Sequence, residues 1–179
     1  AVVASVDEEG AEVDPFRDTL LRYAGYANEV GESFRPFIGH NGVVATYLVA
    51  STYVLADSVY QTKKVGDAEN ALGTNKALRN AKMATSGFDA LLWQSLASVA
   101  VPGFTINRVV HFSGYFMDKA GTKGVARRWL PTLLGLGAIP FIVEPIDHAV
   151  HKVLDYTTRP LAGKLTAAVE NGMGSEKDA

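Results

Sequence analysis

Formal charges are missing from three stretches of this chain. Pro36 to Ala56 is 21 residues without one, taking His40 as neutral; Ala90 to Asn107 is 18 and Trp129 to Val143 is 15. A helix of about 20 residues reaches about 30 Å, the thickness of a bilayer's hydrocarbon core. The first run is long enough to cross and the second just enough, while the third needs tilt, local thinning or the interfacial zone. The alternative is a soluble bundle with three buried helices. Soluble core helices carry a polar stripe every 3.6 residues, whereas Val43 to Ala56 offers only hydroxyls, which bond back to their own helix. The pattern predicts an all-α, multi-pass membrane protein with hydrophobic segments at about 37–57, 88–107 and 129–147.

An amphipathic helix is predicted ahead of the first segment. Asp14 suits an N-cap and Pro15 a first helical position. Phe16, Leu20, Tyr23, Ala27, Val30 and Phe34 then fall on one face. Asp18 and Arg22 stand one turn apart, and Arg17, Glu29 and Glu32 keep the remaining surface polar. Residues 15–35 therefore read as a helix lying on the membrane surface or packing against the others, with Pro36 bending the chain after it. Residues 1–14 form an acidic arm, residues 15–168 one helical membrane domain, and residues 169–179 a frayed tail.

The connections are polar. Residues 58–86 carry Lys63, Lys64, Lys76, Arg79 and Lys82, with breaks expected at Gly66 and Gly73 and a short helix from Leu72 to Met83. Ser86-Gly87-Phe88-Asp89 resembles a capping box opening the second segment. Inside that segment Ala97, Ala100 and Gly103 gather small residues on one side, where another helix can approach closely. Residues 108–128 form the second connection, with a short interfacial helix over Val109 to Met117. The third segment is broken by Gly135, Gly137, Pro140 and Pro145, and 148–168 is a last helical stretch. Each connection carries five Lys or Arg, so the positive-inside rule leaves the orientation open.

Composition narrows the functional classes. The chain has 179 residues, a net charge of −2 and no cysteine. Its length suits one domain. The charge argues against a nucleic-acid partner, which would call for a basic surplus. Without cysteine there is neither a disulfide framework nor a thiolate metal site. The start at Ala1-Val2-Val3-Ala4 fits removal of a transit peptide, methionine excision or trimming equally.

Three blocks resemble one family. They are Tyr23 to Arg35 with Ser51 to Asp57; Trp93 to Val109; and Leu134-Gly135-Leu136 with Ile139-Pro140 and Pro145-Ile146-Asp147. Together they are similar to the mitochondrial fission process proteins, the 18 kDa mitochondrial inner-membrane proteins, over about residues 16–150 and in the same order. The resemblance implies a multi-pass inner-membrane protein linked to mitochondrial division, inner-membrane integrity and bioenergetics, with no catalytic residue. The chain departs from the family pattern in connection 58–86, in His40, His111, His148 and His151, and past Tyr156.

Candidate chemistry is sparse. Asn107-Arg108 closes the second segment, where the guanidinium suits a lipid phosphate or a partner carboxylate, or else snorkels to the headgroups. Asp57, Asp89 and Asp147 sit at segment ends, as caps or, for Asp147, as an ion-pair partner of Arg108. Glu144 and Asp147 flank Pro145, as in a kinked helix or a transporter's broken one. Lys123, Arg127 and Arg128 beside Trp129 form a juxtamembrane basic cluster able to attract anionic lipids such as cardiolipin, or simply to fix segment depth. His148 and His151 lack further ligands for a metal, and His40 would be an axial ligand only within a pigment- or haem-bearing complex. No nucleophile motif surrounds any serine.

The expectation is a non-catalytic protein, without metal or cofactor, that organises or divides the inner membrane through lipid and helix contacts. The alternative is an accessory subunit of a large organellar complex, respiratory first and plastid photosynthetic second, contacting other membrane subunits. A carrier would need a polar face through the first segment, which lacks one.

Overall fold

The structure is a computed structural model describing residues 14–16 and 19–175, with side chains to residue 172. The expectations for residues 1–13, for Arg17 and Asp18 and for the end of the tail lie outside the described residues. Within them the chain is helical, with no strand. A 3₁₀ segment, Leu20–Tyr26, leads into α1, Ala27–Ser33. Then follow α2 (Arg35–Ala71), α3 (Lys76–Gln94), a π-helical segment (Ser95–Ala100), α4 (Val101–Lys119), α5 (Val125–Tyr156) and α6 (Thr158–Ser175).

Two hairpins build the bundle. α2 and α3 pack together across a turn at Gly73, whose φ of 68° favours glycine. Asn75 caps α3, its side chain accepting from the Ala77 N–H. α4 and α5 pair across a turn containing Gly121 and Gly124, both at positive φ. The short α1 lies between α2, α4 and α5, and α6 folds back on α3. Small residues let α1 sit this close. A Cβ on Gly31 would come 1.9 Å from Thr46 Oγ1, and one on Gly135 would come 2.7 Å from Ser33 Oγ.

Several local expectations are corrected. The N-terminal helix starts at Leu20, because Thr19 caps it through Leu21 N–H, while Asp14 accepts from Phe16 N–H outside the helix. Residues 58–86 are mostly helical: beyond a bend at Gly39, α2 runs 32 residues from His40 to Ala71, about 48 Å, well past a bilayer's apolar core. Gly66 stays helical against Met83, and Ser86 lies in mid-helix rather than at a cap. The bend near Pro36 falls at Gly39, with φ 65° and ψ −170°, since proline itself is tolerated in a first turn. Val109–Met117 continues α4. The third segment is one helix of 32 residues that accommodates Pro131, Pro140 and Pro145. The second straddles the π segment, and Pro102, which has no N–H, follows immediately.

α2 and α5 are each long and apolar enough to cross a membrane, by length and composition. Their most apolar windows are only 33% and 17% buried. A soluble core helix would be mostly buried, so these faces suit hydrocarbon. Leu48, Val49 and Leu55 on α2 and Leu133, Leu134 and Phe141 on α5 all face outward. The interior mixes Asn28, Glu29, Glu32, Ser33, Asp57, Gln94 and Thr132 with Val43, Ala50, Val54, Ile106, Val110, Val150 and Leu154. Large apolar side chains outside, with carboxyl and amide groups enclosed within, suit a lipid solvent better than water.

Candidate functional site

The polar interior centres on α1. The sequence pattern puts Glu29 and Glu32 on the polar surface of this helix and leaves its apolar stripe to face the membrane or the other helices; the structure buries both acids. Leu20 is 82% exposed and Tyr23 63%, while Glu29 is fully buried and Glu32 nearly so. The one sequence signal pointing there is that three uncharged segments leave nearby acids to find partners inside the bundle. The Glu32 carboxylate accepts two 2.7 Å bonds from Arg35, one of 2.9 Å from Asn107 Nδ2 and one of 3.2 Å from the Tyr47 hydroxyl. It thereby ties α1 to α2 and α4. Burial works to raise its pKa, but the bonds from Arg35, Asn107 and Tyr47 hold it below the ordinary carboxylate value.

One turn earlier the accounts do not balance. Asn28 Nδ2 donates to the Val99 carbonyl at 3.0 Å, within the π segment where regular α-helical pairing lapses. Its Oδ1 and both Glu29 carboxylate oxygens are buried without partners. Burial pushes the Glu29 carboxyl up to about 8, so it is protonated at neutral pH. A neutral buried acid is far less costly than a buried, unpaired carboxylate.

A second polar group sits between α2 and α3. Asp57, fully buried, accepts from Gln94 at 2.6 Å and Gln61 at 3.1 Å, and Gln61 also bonds Asp14 at 2.9 Å. Gln94 in turn accepts from Ser98 at 2.7 Å. Beside this group lies a cavity of about 290 Å³ with Arg22 and Asp147 in its lining. At the far end, Arg159 of α6 forks onto Asp89 of α3 (2.9 and 3.0 Å) and reaches Asp155 at 2.7 Å, pinning α6 to the hairpin.

The residues singled out from sequence are dispersed. Asn107 joins the Glu32 cluster, but its neighbour Arg108 faces outward, bonded to Asn107 Oδ1 and lying 5.5 Å from the Phe104 ring centroid. Arg108 and Asp147 form no ion pair; Asp147 lies in the cavity wall instead. Arg127 pairs with Asp118, and that bond draws the Asp118 carboxyl below its usual value. Trp129 packs on Phe37, centroids 4.9 Å apart, while Lys123 and Arg128 are exposed. Ala97 is buried, and a Cβ on Gly103 would strike the Tyr47 hydroxyl at 2.3 Å. Ala100 faces outward, because the π turn rotates it off the side Gly103 shares with α1. Glu144 and His148 make an exposed 3.7 Å contact. Among the described residues no three His, Asp or Glu gather as a metal site would require.

Comparison with known proteins gives one family. The model of the mitochondrial 18 kDa protein family matches residues 14–154. The human protein named mitochondrial fission process protein 1 is 47% identical, over 85% of this chain and 90% of its own length. The protein of that name in Caenorhabditis elegans is 42% identical, over 89% and 95%. In Danio rerio the figures are 41%, 88% and 93%. No solved structure matches.

Proposed function

The chain belongs to the mitochondrial 18 kDa protein family, and from that premise we propose that it acts, without catalysis, in organising and dividing the mitochondrial inner membrane. The observation that carries the proposal is the 47% identity to a protein named for mitochondrial fission, across 85% of the chain. The outward-facing apolar side chains of α2 and α5 support a place within a bilayer. The Glu32 cluster and the Arg159 fork would hold the bundle as one body, so that its outer faces, including the basic Lys123, Arg127 and Arg128 flank, can meet lipids such as cardiolipin and neighbouring membrane proteins.

Depletion followed by imaging and respirometry tests this. The expected result is elongated mitochondria before any fall in respiration, reversed by re-expressing this chain or the human relative. Carbonate extraction and protease protection of mitoplasts should place it in the inner membrane. Native electrophoresis of gently solubilised membranes addresses the alternative: migration wholly with one respiratory complex at fixed stoichiometry would make it an accessory subunit and overturn the proposal.

A further inference from the structure

The cavity beside α1 carries an unusual charge pair. Arg22, on the 3₁₀ segment, and Asp147, on α5, both line it, yet no ion pair joins them. Arg22 has the Tyr26 phenol beside it and no carboxylate partner among the described residues. Tyr26, Tyr53 and Trp93 supply aromatic faces to the same lining. The Trp93 indole N–H is buried without a partner. A guanidinium suits phosphate, and a carboxylate with aromatic faces suits an ammonium. The lining thus offers one cationic and one anionic group, complementary to a zwitterion, and its formal charge sums to zero.

An apolar groove of about 420 Å³ adjoins the cavity and shares Phe16 and Tyr53 with it. The rest of its lining includes Leu21, Leu48 and Val49, on the outward face where hydrocarbon is expected. A cavity of about 290 Å³ is at the small end for ligand sites, enough for a headgroup but not for a whole lipid. We propose that this paired site holds one zwitterionic glycerophospholipid, its phosphate at Arg22, its ammonium between Asp147 and the aromatic walls, and one acyl chain along the groove. An anionic lipid would meet Asp147 without an ammonium to offset it, and a free headgroup would leave the groove empty. The inference rests on the bilayer placement proposed above and is independent of any role in division.

The full chain, with Trp129→Phe so that Trp93 is the only tryptophan, is purified in a maltoside detergent and titrated with dihexanoyl phosphatidylcholine. A saturable change in Trp93 fluorescence is expected. Dihexanoyl phosphatidylglycerol, free phosphocholine and inorganic phosphate should each bind at least tenfold more weakly. Arg22→Gln and Asp147→Asn should each weaken phosphatidylcholine binding tenfold or more, and Arg108→Gln should leave it unchanged. If either cavity variant fails to fold, Ala24→Phe, which fills the groove wall, should weaken phosphatidylcholine without affecting phosphocholine. Equal binding of the two lipids with no effect of Asp147→Asn would reveal a phosphate site only and overturn the proposal. Equal binding of phosphocholine and the lipid, or no saturable change, would also overturn it. None of these outcomes bears on mitochondrial shape, so the site and the division role fail separately.

Discussion

Replacing Glu32 with Gln tests whether the polar interior holds the bundle together. The carboxylate accepts four bonds from three residues, two from the Arg35 fork and one each from Asn107 and Tyr47. An amide keeps one accepting oxygen and turns a donor toward groups that also donate. Bonds to a charged group contribute about 1.5–3 kcal/mol each, and neutral ones about 1. Two or more are lost, which suggests about 4–5 kcal/mol. The Arg35 side chain is 35% exposed, however, and can turn to water, which discounts its share. About 3 kcal/mol remains. For a chain of this size each kcal/mol moves the Tm by roughly 2–4 °C, so a fall of roughly 6–12 °C is expected in a thermal melt of the detergent-solubilised protein. Asn107→Ala should cost less, about 1–2 kcal/mol. In the double variant the two losses should fall short of additivity by 0.5 kcal/mol or more, on the order expected of residues in one network. Arg108→Ala, one residue along, should move the Tm by less than about 2 °C, since surface changes stay within roughly 0.5 kcal/mol. A fall below 2 °C for Glu32→Gln, or equal effects at 107 and 108, would refute the claim that a buried carboxylate joins α1 to α2 and α4.

Glu29 makes stability depend on pH in a stated direction. Its folded pKa of about 8 lies above the ordinary 4.5, so the folded state binds the extra proton and stability falls as pH rises from about 4.5 to 8; chemical denaturation across that range should show the fall, and Glu29→Gln should flatten it. Gly31→Val should destabilise by at least about 1–3 kcal/mol, because even a Cβ there meets Thr46 Oγ1 at 1.9 Å; a normal melt would refute the close crossing of α1 and α2. Arg159→Ala should free α6 and not the bundle, seen as faster hydrogen exchange confined to residues 158–172; exchange rising equally in α1 would contradict the local role of the fork.

The helical, membrane-type fold was legible because uncharged runs have a length scale that the bilayer sets. What the runs could not specify was where each helix ends. Charged residues mark the edge of hydrocarbon and not the end of a helix, so α2 continues through Lys63 and Lys64 to Ala71. The turns that do end helices depend on single residues such as Gly73 and Asn75. The burial of Glu29 and Glu32 was illegible for a related reason. The stripe of Leu20 and Tyr23 on the 3₁₀ segment with Ala27 and Val30 on α1 is plain in the sequence, but periodicity gives a face and not its direction. In water that stripe would turn inward; beside hydrocarbon Leu20, Tyr23 and Val30 face outward, and Asn28, Glu29, Glu32 and Ser33 join Val43, Ile106 and Val110 in the interior.

The same arrangement explains how a helix this short keeps its place. α1 has seven residues, too few to be stable by propensity alone. Its place depends on Gly31 and Gly135 admitting it and on Tyr47, Asn107 and the Val99 carbonyl meeting its side chains, so α2, α4, α5 and the π segment are all built around it. Glu29 is the exception in chemistry: neither carboxyl oxygen has a hydrogen-bond partner. A bundle shaped only for rigidity would be more stable with Leu at that position, since an unsatisfied buried polar group costs about 1–3 kcal/mol. Glu29→Leu should therefore match or exceed the parent protein in stability at neutral pH. If it does, and still fails to restore mitochondrial shape in depleted cells, the buried proton is there for function; if it restores shape fully, Glu29 is tolerated rather than used.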